Sequence, residues 1–144
     1  MSIFYDVDAF MKAAGHGPDP KKVSLYLDLV REEMGELEQA MADYHASENL
    51  HDEQLAKADA LDAICDTIWV LVGLSKVMDL PIEWGWDCVT LSNARKIDPE
   101  LGTMLRDESG KIMKPPGWKP PDLVKVIKDY ERTKQSLSPP ETNE

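Results

Sequence analysis

The chain has 144 residues, of which 42% are hydrophobic and 30% are charged, and its formal net charge is −11 at pH 7. These totals indicate one globular domain of ordinary size. The acidic charge argues against non-specific binding to nucleic acid, and no apolar run approaches the roughly 20 residues that a membrane span needs. Because the two cysteines form no disulfide framework or zinc-binding pattern and the first residues lack the layout of a signal peptide, we expect a cytoplasmic protein.

Apolar residues spaced three and four apart predict five helices, over about residues 4–14, 20–46, 52–78, 81–95 and 121–135. Pro20 opens the second helix, with Asp19 as its N-cap. Proline and glycine exclude a regular helix over most of residues 96–123. Within that segment we expect a short extended pair around Thr103–Met113, with Asp107–Gly110 as its turn.

These elements predict an all-α helical bundle in which the second and third helices are long and antiparallel. We expect one domain over residues 1–135, with residues 107–123 as an irregular segment that closes over the substrate, and a disordered tail over residues 136–144. Two long amphipathic helices carry more apolar surface than a chain of this size covers alone. A homodimer or homotetramer with a helical interface is therefore expected.

Acidic residues recur at helical spacing on both long helices. The second helix carries Glu32, Glu33 and Glu36 on one face, and the third carries Asp59, Asp62 and Asp66 on one face. Asp66 lies in the run Ala63–Leu74, which is otherwise apolar or small, so we expect it in the core with a partner or a bound cation. Oxygen ligands without His or Cys select hard cations such as Mg²⁺ or Mn²⁺. The alternatives are solvated carboxylates on the helix surface and, for Asp66, a protonated side chain bonded to a neighbour.

The second helix contains Glu32-Glu33-Met34-Gly35-Glu36, and an acidic pair follows on the third. This EExxE arrangement resembles the all-α nucleoside triphosphate pyrophosphohydrolases, which include MazG-like proteins, dimeric dUTPases and phosphoribosyl-ATP pyrophosphohydrolases. The segment Asp62–Val70 is similar to the phage and bacterial MazG-like type. Ala63 stands where that group usually has the Glu of its second, ExxD motif, so Asp62 or Asp59 would have to replace it.

Two later segments, Leu91–Asp98 and Ser109–Leu123, also resemble this group, so the resemblance covers roughly residues 20–123. It implies hydrolysis of a (deoxy)nucleoside triphosphate to the monophosphate and pyrophosphate, for nucleotide-pool control or house-cleaning, in the host cytoplasm if the protein is phage-encoded. No GxxxxGK[ST] loop occurs in the sequence. We therefore expect pyrophosphate, rather than the orthophosphate that an ordinary NTPase releases.

The resemblance also implies roles for particular residues. Glu33, Glu36, Asp62 and Asp66 would hold Mg²⁺ or Mn²⁺, Glu32 and Glu33 would be catalytic, and Asn93, Lys96, Lys111, Lys114 and Trp118 would contact the substrate. Glu32 would orient or deprotonate the attacking water. The sequence leaves open the preferred base and sugar, and the choice between dimer and tetramer.

Two other classes of protein are compatible with acidic helices. A helical interaction or adaptor protein without catalysis would have solvated carboxylates and no Mg²⁺-dependent thermal shift. A di-iron carboxylate bundle needs a Glu-x-x-His pair on each of two helices. The sequence has one such spacing, Glu48 to His51, and it falls in a predicted loop.

Overall fold

A computed structural model of the protein describes residues 2–137, and over that range the chain is helical without a named strand. The helices are α1 (Ile3–Ala13), α2 (Val23–Ala46), α3 (Leu50–Val77), α4 (Ile82–Ala94) and α5 (Leu123–Leu137). Each one lies close to a predicted helix, and the predicted all-α class is confirmed. The last helix continues through Leu137, two residues into the segment for which the sequence predicts a disordered tail. Residues 138–144 of the predicted tail lie outside the described residues.

Side-chain caps set the start of the two long helices. The Asp19 carboxylate accepts a hydrogen bond of 3.0 Å from the backbone N–H of Lys21 and caps a single 3-10 turn, Pro20–Lys22, that leads into α2. The Asn49 side chain accepts a bond of 3.0 Å from the Asp52 N–H at the start of α3. At the other end of α3, Asp79 takes the left-handed conformation that commonly ends helices, with φ 55°.

Backbone proximity divides the chain into a first unit that ends at Leu80 and a second that begins at Pro81. The single domain over residues 1–135 stays a prediction. In the first unit α2 and α3 pack against each other as an antiparallel pair, and α1 packs on α3. The buried cluster of this unit contains Val7, Met11, Tyr26, Val72 and Val77.

A close contact between a tyrosine and a glycine joins the two long helices. Gly73 of α3 is buried, and a methyl group at its Cβ position would lie 3.1 Å from Cδ1 of the Tyr26 ring and nearer than that to Cε1. The Tyr26 hydroxyl donates to Sδ of Met11 at 2.7 Å and lies 3.1 Å from Nδ1 of His16. These contacts hold the ring in place, so the small residue at position 73 sets how closely α2 approaches α3.

In the second unit α4 and α5 meet through Trp84 and Tyr130, whose ring centroids are 5.8 Å apart in an edge-to-face arrangement. The segment between them forms two isolated antiparallel bridges, Ile97 with Met104 and Arg106 with Ile112. A turn at Asp107 closes the second bridge, with a hydrogen bond of 2.9 Å from Gly110 N–H to the Asp107 carbonyl. The predicted extended pair is thus confirmed as bridges without a continuous strand.

The outer surface of the α2–α3 pair is unusually apolar. Its exposed side chains include Met34, Met41, Leu61, Ile64, Ile68 and Leu71. Exposed apolar side chains in such number mark an interaction surface more often than ordinary solvent-facing helix. Among the described residues, no helix is both long enough and apolar enough to span a membrane.

Candidate active site

The predicted acidic residues of α2 and α3 lie close enough to influence one another. Glu33 is partly buried, and the pKa of its carboxyl is raised above the ordinary value of 4.5. Burial is the largest cause, followed by the negative charges of Glu36, Asp66, Glu32 and Asp62. The structure therefore brings together, around Glu33, the carboxylates from both sequence motifs.

The same electrostatic pattern distinguishes between the two aspartates that could replace the missing Glu of the second motif. Asp62 contributes to the raised pKa of Glu33, and Asp59 is not among the groups that raise it. Ala63, at the position where the resemblance usually has Glu, is buried at 2% exposure. Asp62 is therefore one of the groups that act on Glu33, whereas its pairing with Asp66 stays a prediction.

The expectation that Asp66 lies in the core is wrong for the isolated chain, in which this residue is exposed. The run around it mixes inward and outward positions: Val72 and Gly73 are buried, whereas Ile64 and Ile68 are 44% and 42% exposed. A continuous apolar run on a helix must wrap around the whole helix, because successive residues differ by about 100°. The apolar neighbours of Asp66 in sequence therefore give no measure of its burial.

The acidic group has no neutralising partner within the part of the chain that the structure describes. None of the ion pairs or side-chain hydrogen bonds over residues 2–137 involves Glu32, Glu33, Glu36, Asp62 or Asp66. Over the same residues no three acidic, His or Cys side chains are close enough to form a complete metal-binding group. The donor set consists of oxygen atoms alone, which suits a hard cation such as Mg²⁺.

A cavity of about 270 Å³ adjoins these carboxylates. Its lining consists of Phe10, Met11, Tyr26, Leu29, Glu33, Asp66, Trp69, Val70 and Gly73. The rings of Phe10 and Trp69 meet edge to face, with centroids 5.5 Å apart. An apolar and aromatic cavity that also contains two carboxylates combines a stacking surface with a charged end, which is the usual composition of a small-molecule site.

The predicted substrate residues Asn93, Lys96, Lys114 and Trp118 form a separate group within the second unit. Nζ of Lys96 donates a hydrogen bond of 2.9 Å to Oδ1 of Asn93. The ammonium groups of Lys96 and Lys114 lie 5.6 Å and 4.4 Å from the centroid of the Trp118 ring. The structure therefore brings these predicted residues into contact with one another.

Lys111 has a different environment from these lysines. Its backbone N–H donates to Oδ1 of Asp107 at 3.0 Å, and its carbonyl accepts from the Asp107 N–H at 2.9 Å. Hydrogen bonds from Ser109 and Lys111 lower the pKa of the Asp107 carboxyl, with the Ser109 hydroxyl as the largest cause. The backbone of Lys111 thus closes the turn, and its exposed side chain takes no part in the Trp118 group.

Sequence reasoning missed several residues that shape these sites. Ser92 is 4% exposed, and its carbonyl accepts a bond of 2.9 Å from Nε1 of Trp118, a contact across 26 positions that no local pattern indicates. Phe10 and Tyr26 fall within the predicted helices over residues 4–14 and 20–46, and no motif singles them out. Gly73 carried a signal, because a glycine inside an apolar helix often marks a close approach.

The family described as phosphoribosyl-ATP pyrophosphohydrolase (PRA-PH) matches residues 8–93 of the chain, more than half of its length. The matched segment contains the acidic residues of α2 and α3 and ends at Asn93. Lys96, Lys114 and Trp118 follow it in the chain. No curated protein matches the sequence.

Proposed function

The chain belongs to the phosphoribosyl-ATP pyrophosphohydrolase family, an all-α MazG-like domain of the nucleoside triphosphate pyrophosphohydrolases, and from this premise we propose that it hydrolyses a (deoxy)nucleoside triphosphate to the monophosphate and pyrophosphate. The family supports a nucleotide pyrophosphohydrolase in general. The observation that carries the finer proposal is the group of carboxylates around Glu33, which has no cation within the described residues to neutralise it. An unpaired acidic group of this kind stores repulsion that a positively charged ligand relieves.

Glu33, Glu36, Asp62 and Asp66 are the residues that would hold a divalent cation, Mg²⁺ or Mn²⁺. When bound, such a cation neutralises charge on phosphate oxygens and lowers the pKa of a bound water. The fit rests on the donors being carboxylate oxygens, which hard cations prefer. It also rests on the raised pKa of Glu33, which burial and, after it, the neighbouring carboxylates cause.

Glu32 is the proposed general base. It is exposed on α2 and close enough to Glu33 to raise the pKa of that carboxyl. In the proposed reaction Glu32 accepts a proton from a water molecule as the water oxygen bonds to the α-phosphorus. The bond from the α-phosphorus to the bridging oxygen breaks, and the β- and γ-phosphates leave together as pyrophosphate.

The cavity beside Glu33 and Asp66 supports a place for the nucleobase. Phe10 and Trp69 supply aromatic surface, and base–aromatic stacking contributes on the order of 1–3 kcal/mol. The residues proposed to contact the rest of the substrate are Asn93, Lys96, Lys111, Lys114 and Trp118. Lysine ammonium groups suit the phosphates because they supply charge without requiring a fixed geometry.

Phosphorus NMR of the reaction products tests the proposal directly. The protein is incubated with a panel of canonical and modified triphosphates and with Mg²⁺ or Mn²⁺, and we expect a monophosphate and pyrophosphate. Asp66→Asn keeps the size of the side chain but loses its charge, and it should abolish hydrolysis. Asp59→Asn, on the same helix but outside the group around Glu33, is the matched control and should remain active. A nucleoside diphosphate with orthophosphate, or equal loss in both variants, would contradict the mechanism.

Phosphoribosyl-ATP is a second candidate substrate, favoured by the family that matches residues 8–93. The bond broken and the pyrophosphate released are the same, so the carboxylates serve either substrate. The two candidates are separated by including phosphoribosyl-ATP in the panel and comparing kcat/KM with that of the best triphosphate. A catalytically inert adaptor protein, by contrast, would show neither hydrolysis nor stabilisation by Mg²⁺.

A homodimer or homotetramer is proposed as the active form. The support is the apolar outer surface of the α2–α3 pair, where Leu61 is 63% exposed and Met34 is 41% exposed. Burying such side chains against another copy yields about 25 cal/mol per Å² of apolar surface. The carboxylates lie on the same two helices as this surface.

A further inference from the structure

We infer that Trp118 is a positioning residue that holds Lys96 and Lys114 on its ring as a two-lysine clamp for a polyphosphate anion. The clamp rests on the proposed function, since a triphosphate is the ligand that needs it, but it is built from a part of the chain that follows the matched family segment. It assigns a role to Trp118 that differs from stacking on a base.

The backbone around Trp118 is shaped by its sequence. Pro115, Pro116, Gly117 and Trp118 form a turn in which the Trp118 N–H donates a bond of 3.1 Å to the Pro115 carbonyl. Gly117 has φ +79°, the conformation that a type II turn needs at its third position, and a proline at the second position fits the same turn. The turn therefore presents the indole at a defined place on the segment.

A buried contact then fixes the indole against α4. Nε1 of Trp118 donates to the carbonyl of Ser92 at 2.9 Å, and the Ser92 hydroxyl donates to the carbonyl of Lys119 at 3.3 Å. Ser92 is 4% exposed, and both bonds are partly buried. With one edge of the indole held in this way, its ring is a fixed surface for cations.

Lys96 and Lys114 reach this surface from different elements. Lys96 follows α4, and Lys114 precedes the Pro115 turn. Their Nζ atoms lie 5.6 Å and 4.4 Å from the ring centroid, and Oδ1 of Asn93 accepts a hydrogen bond from Lys96. Two ammonium groups on one ring repel each other, and an anion between or beside them relieves that repulsion. Because the ring already restricts both side chains, less rotamer freedom is lost when the anion binds.

A cavity beside Trp118 is lined by positively charged residues, which suits an anionic ligand. It has a volume of about 470 Å³, and the charged residues among its described lining are Arg95 and Lys119. Trp118 lines it as well. A ligand with several adjacent negative charges, such as a triphosphate chain or released pyrophosphate, suits a cavity whose charged lining residues are both cations and whose Trp118 ring holds two further lysines.

The contrast between two lysines of the same segment makes the inference specific. Lys114 lies on the Trp118 ring, whereas Lys111 closes the Asp107 turn through its backbone and its side chain is exposed. Removing the Lys114 ammonium group should therefore weaken anion binding. Lys128 is an exposed lysine of α5 and is not among the cations on the ring, so removing its side chain should leave the clamp intact.

The test is calorimetric titration of the full chain with inorganic tripolyphosphate, without divalent metal and at constant ionic strength. Lys114→Ala and Trp118→Leu should each weaken binding roughly tenfold, the scale of losing one charge-assisted contact. Lys128→Ala, at an exposed lysine of α5 in the same unit, is the matched control and should stay within about twofold of the parent. Trp118→Phe keeps a ring for the lysines and should retain most of the affinity, although it loses the bond to Ser92.

A double variant separates positioning from direct contact and from general misfolding. If Trp118 acts through Lys114, adding Trp118→Leu to Lys114→Ala should cost less than it costs alone. The salt dependence of binding should also become shallower in Trp118→Leu, because fewer ammonium groups engage the anion. Parent-like affinity in Trp118→Leu, equal effects of the changes at Lys128 and Lys114, or no binding by the parent would each overturn the clamp.

The clamp and the proposed hydrolase fail in different ways. If the parent hydrolyses triphosphates but Trp118→Leu binds tripolyphosphate normally, the clamp is wrong and the proposed reaction stands. If the parent binds tripolyphosphate with the expected pattern of variants but hydrolyses no nucleotide, the proposed reaction is wrong and the clamp stands.

Discussion

Replacing Gly73 by alanine tests how tightly α2 and α3 are packed beside the candidate site. A methyl group there would lie 3.1 Å from Cδ1 of Tyr26 and nearer to Cε1, so the ring or the helix must move. The ring is held by Met11 at 2.7 Å and by His16 at 3.1 Å, so moving it disturbs those contacts. Overpacking lowers the free energy of unfolding by about 1–3 kcal/mol, whereas the higher helix propensity of alanine raises it by about 1 kcal/mol. Because a Cβ at position 73 would lie less than 3.0 Å from a ring carbon, the upper part of that range applies, about 2–3 kcal/mol, and we expect a net loss of about 1–2 kcal/mol.

Gly35 supplies the matched control, because it is also helical and a Cβ there meets nothing within 4 Å. Gly35→Ala should stabilise the protein by up to about 1 kcal/mol through helix propensity alone. Urea unfolding of both variants at one protein concentration measures the difference, since association also affects apparent stability. If Gly73→Ala were as stable as the parent, or shifted in the same direction as Gly35→Ala, the tight contact with Tyr26 would be refuted.

Three further predictions concern charge and assembly. Glu33→Gln should raise stability at neutral pH without divalent metal. The pKa of Glu33 is higher in the folded protein than the unfolded value of 4.5, so ionising this carboxyl destabilises the folded state, and glutamine removes that cost. Thermal unfolding should show the advantage disappear as the pH falls through the raised pKa. Asp8→Asn should lose a little stability at neutral pH, because the hydrogen bond from Lys12 is the main cause of the lowered pKa of Asp8 and favours its ionised form. The parent should lose the same contribution as the pH falls below 3.8 and through the lowered pKa. A stability difference that does not depend on pH would contradict this. Ile64→Glu with Ile68→Glu should give a monomer of 16.2 kDa by light scattering, and an unchanged oligomer would exclude this surface as the interface.

Helix positions were predictable from the sequence because they depend on short-range patterns. Apolar spacing and capping residues placed α2 and α3 within a few residues of their observed bounds, as Asp19 before the Pro20 turn illustrates. The carboxylates were predictable as two stripes for the same reason, since residues three and four apart on a helix share a face. The Asp107 turn was also predictable, because Gly110 and the aspartate act locally.

Burial and long-range contacts were decided by the tertiary structure. Asp66 was expected in the core from its apolar neighbours, yet it is exposed, because only one side of α3 packs on α1 and α2 in the single chain. The effect of Asp62 on the pKa of Glu33 likewise depends on where the two helices place these residues. No pattern in a single sequence specifies which faces of two helices meet.

The Trp118 group shows the same limit over a longer distance. The proline and glycine residues of the turn at Gly117 can be read from the sequence, but the contacts of Trp118 cannot. Its indole donates a hydrogen bond to Ser92, 26 positions away, and its ring contacts Lys96 and Lys114, which are far apart in the chain. Local chemistry thus determined which elements form and which side chains carry charge. The packing of those elements determined which charges meet, since contacts between distant residues arise only once the chain has folded back on itself.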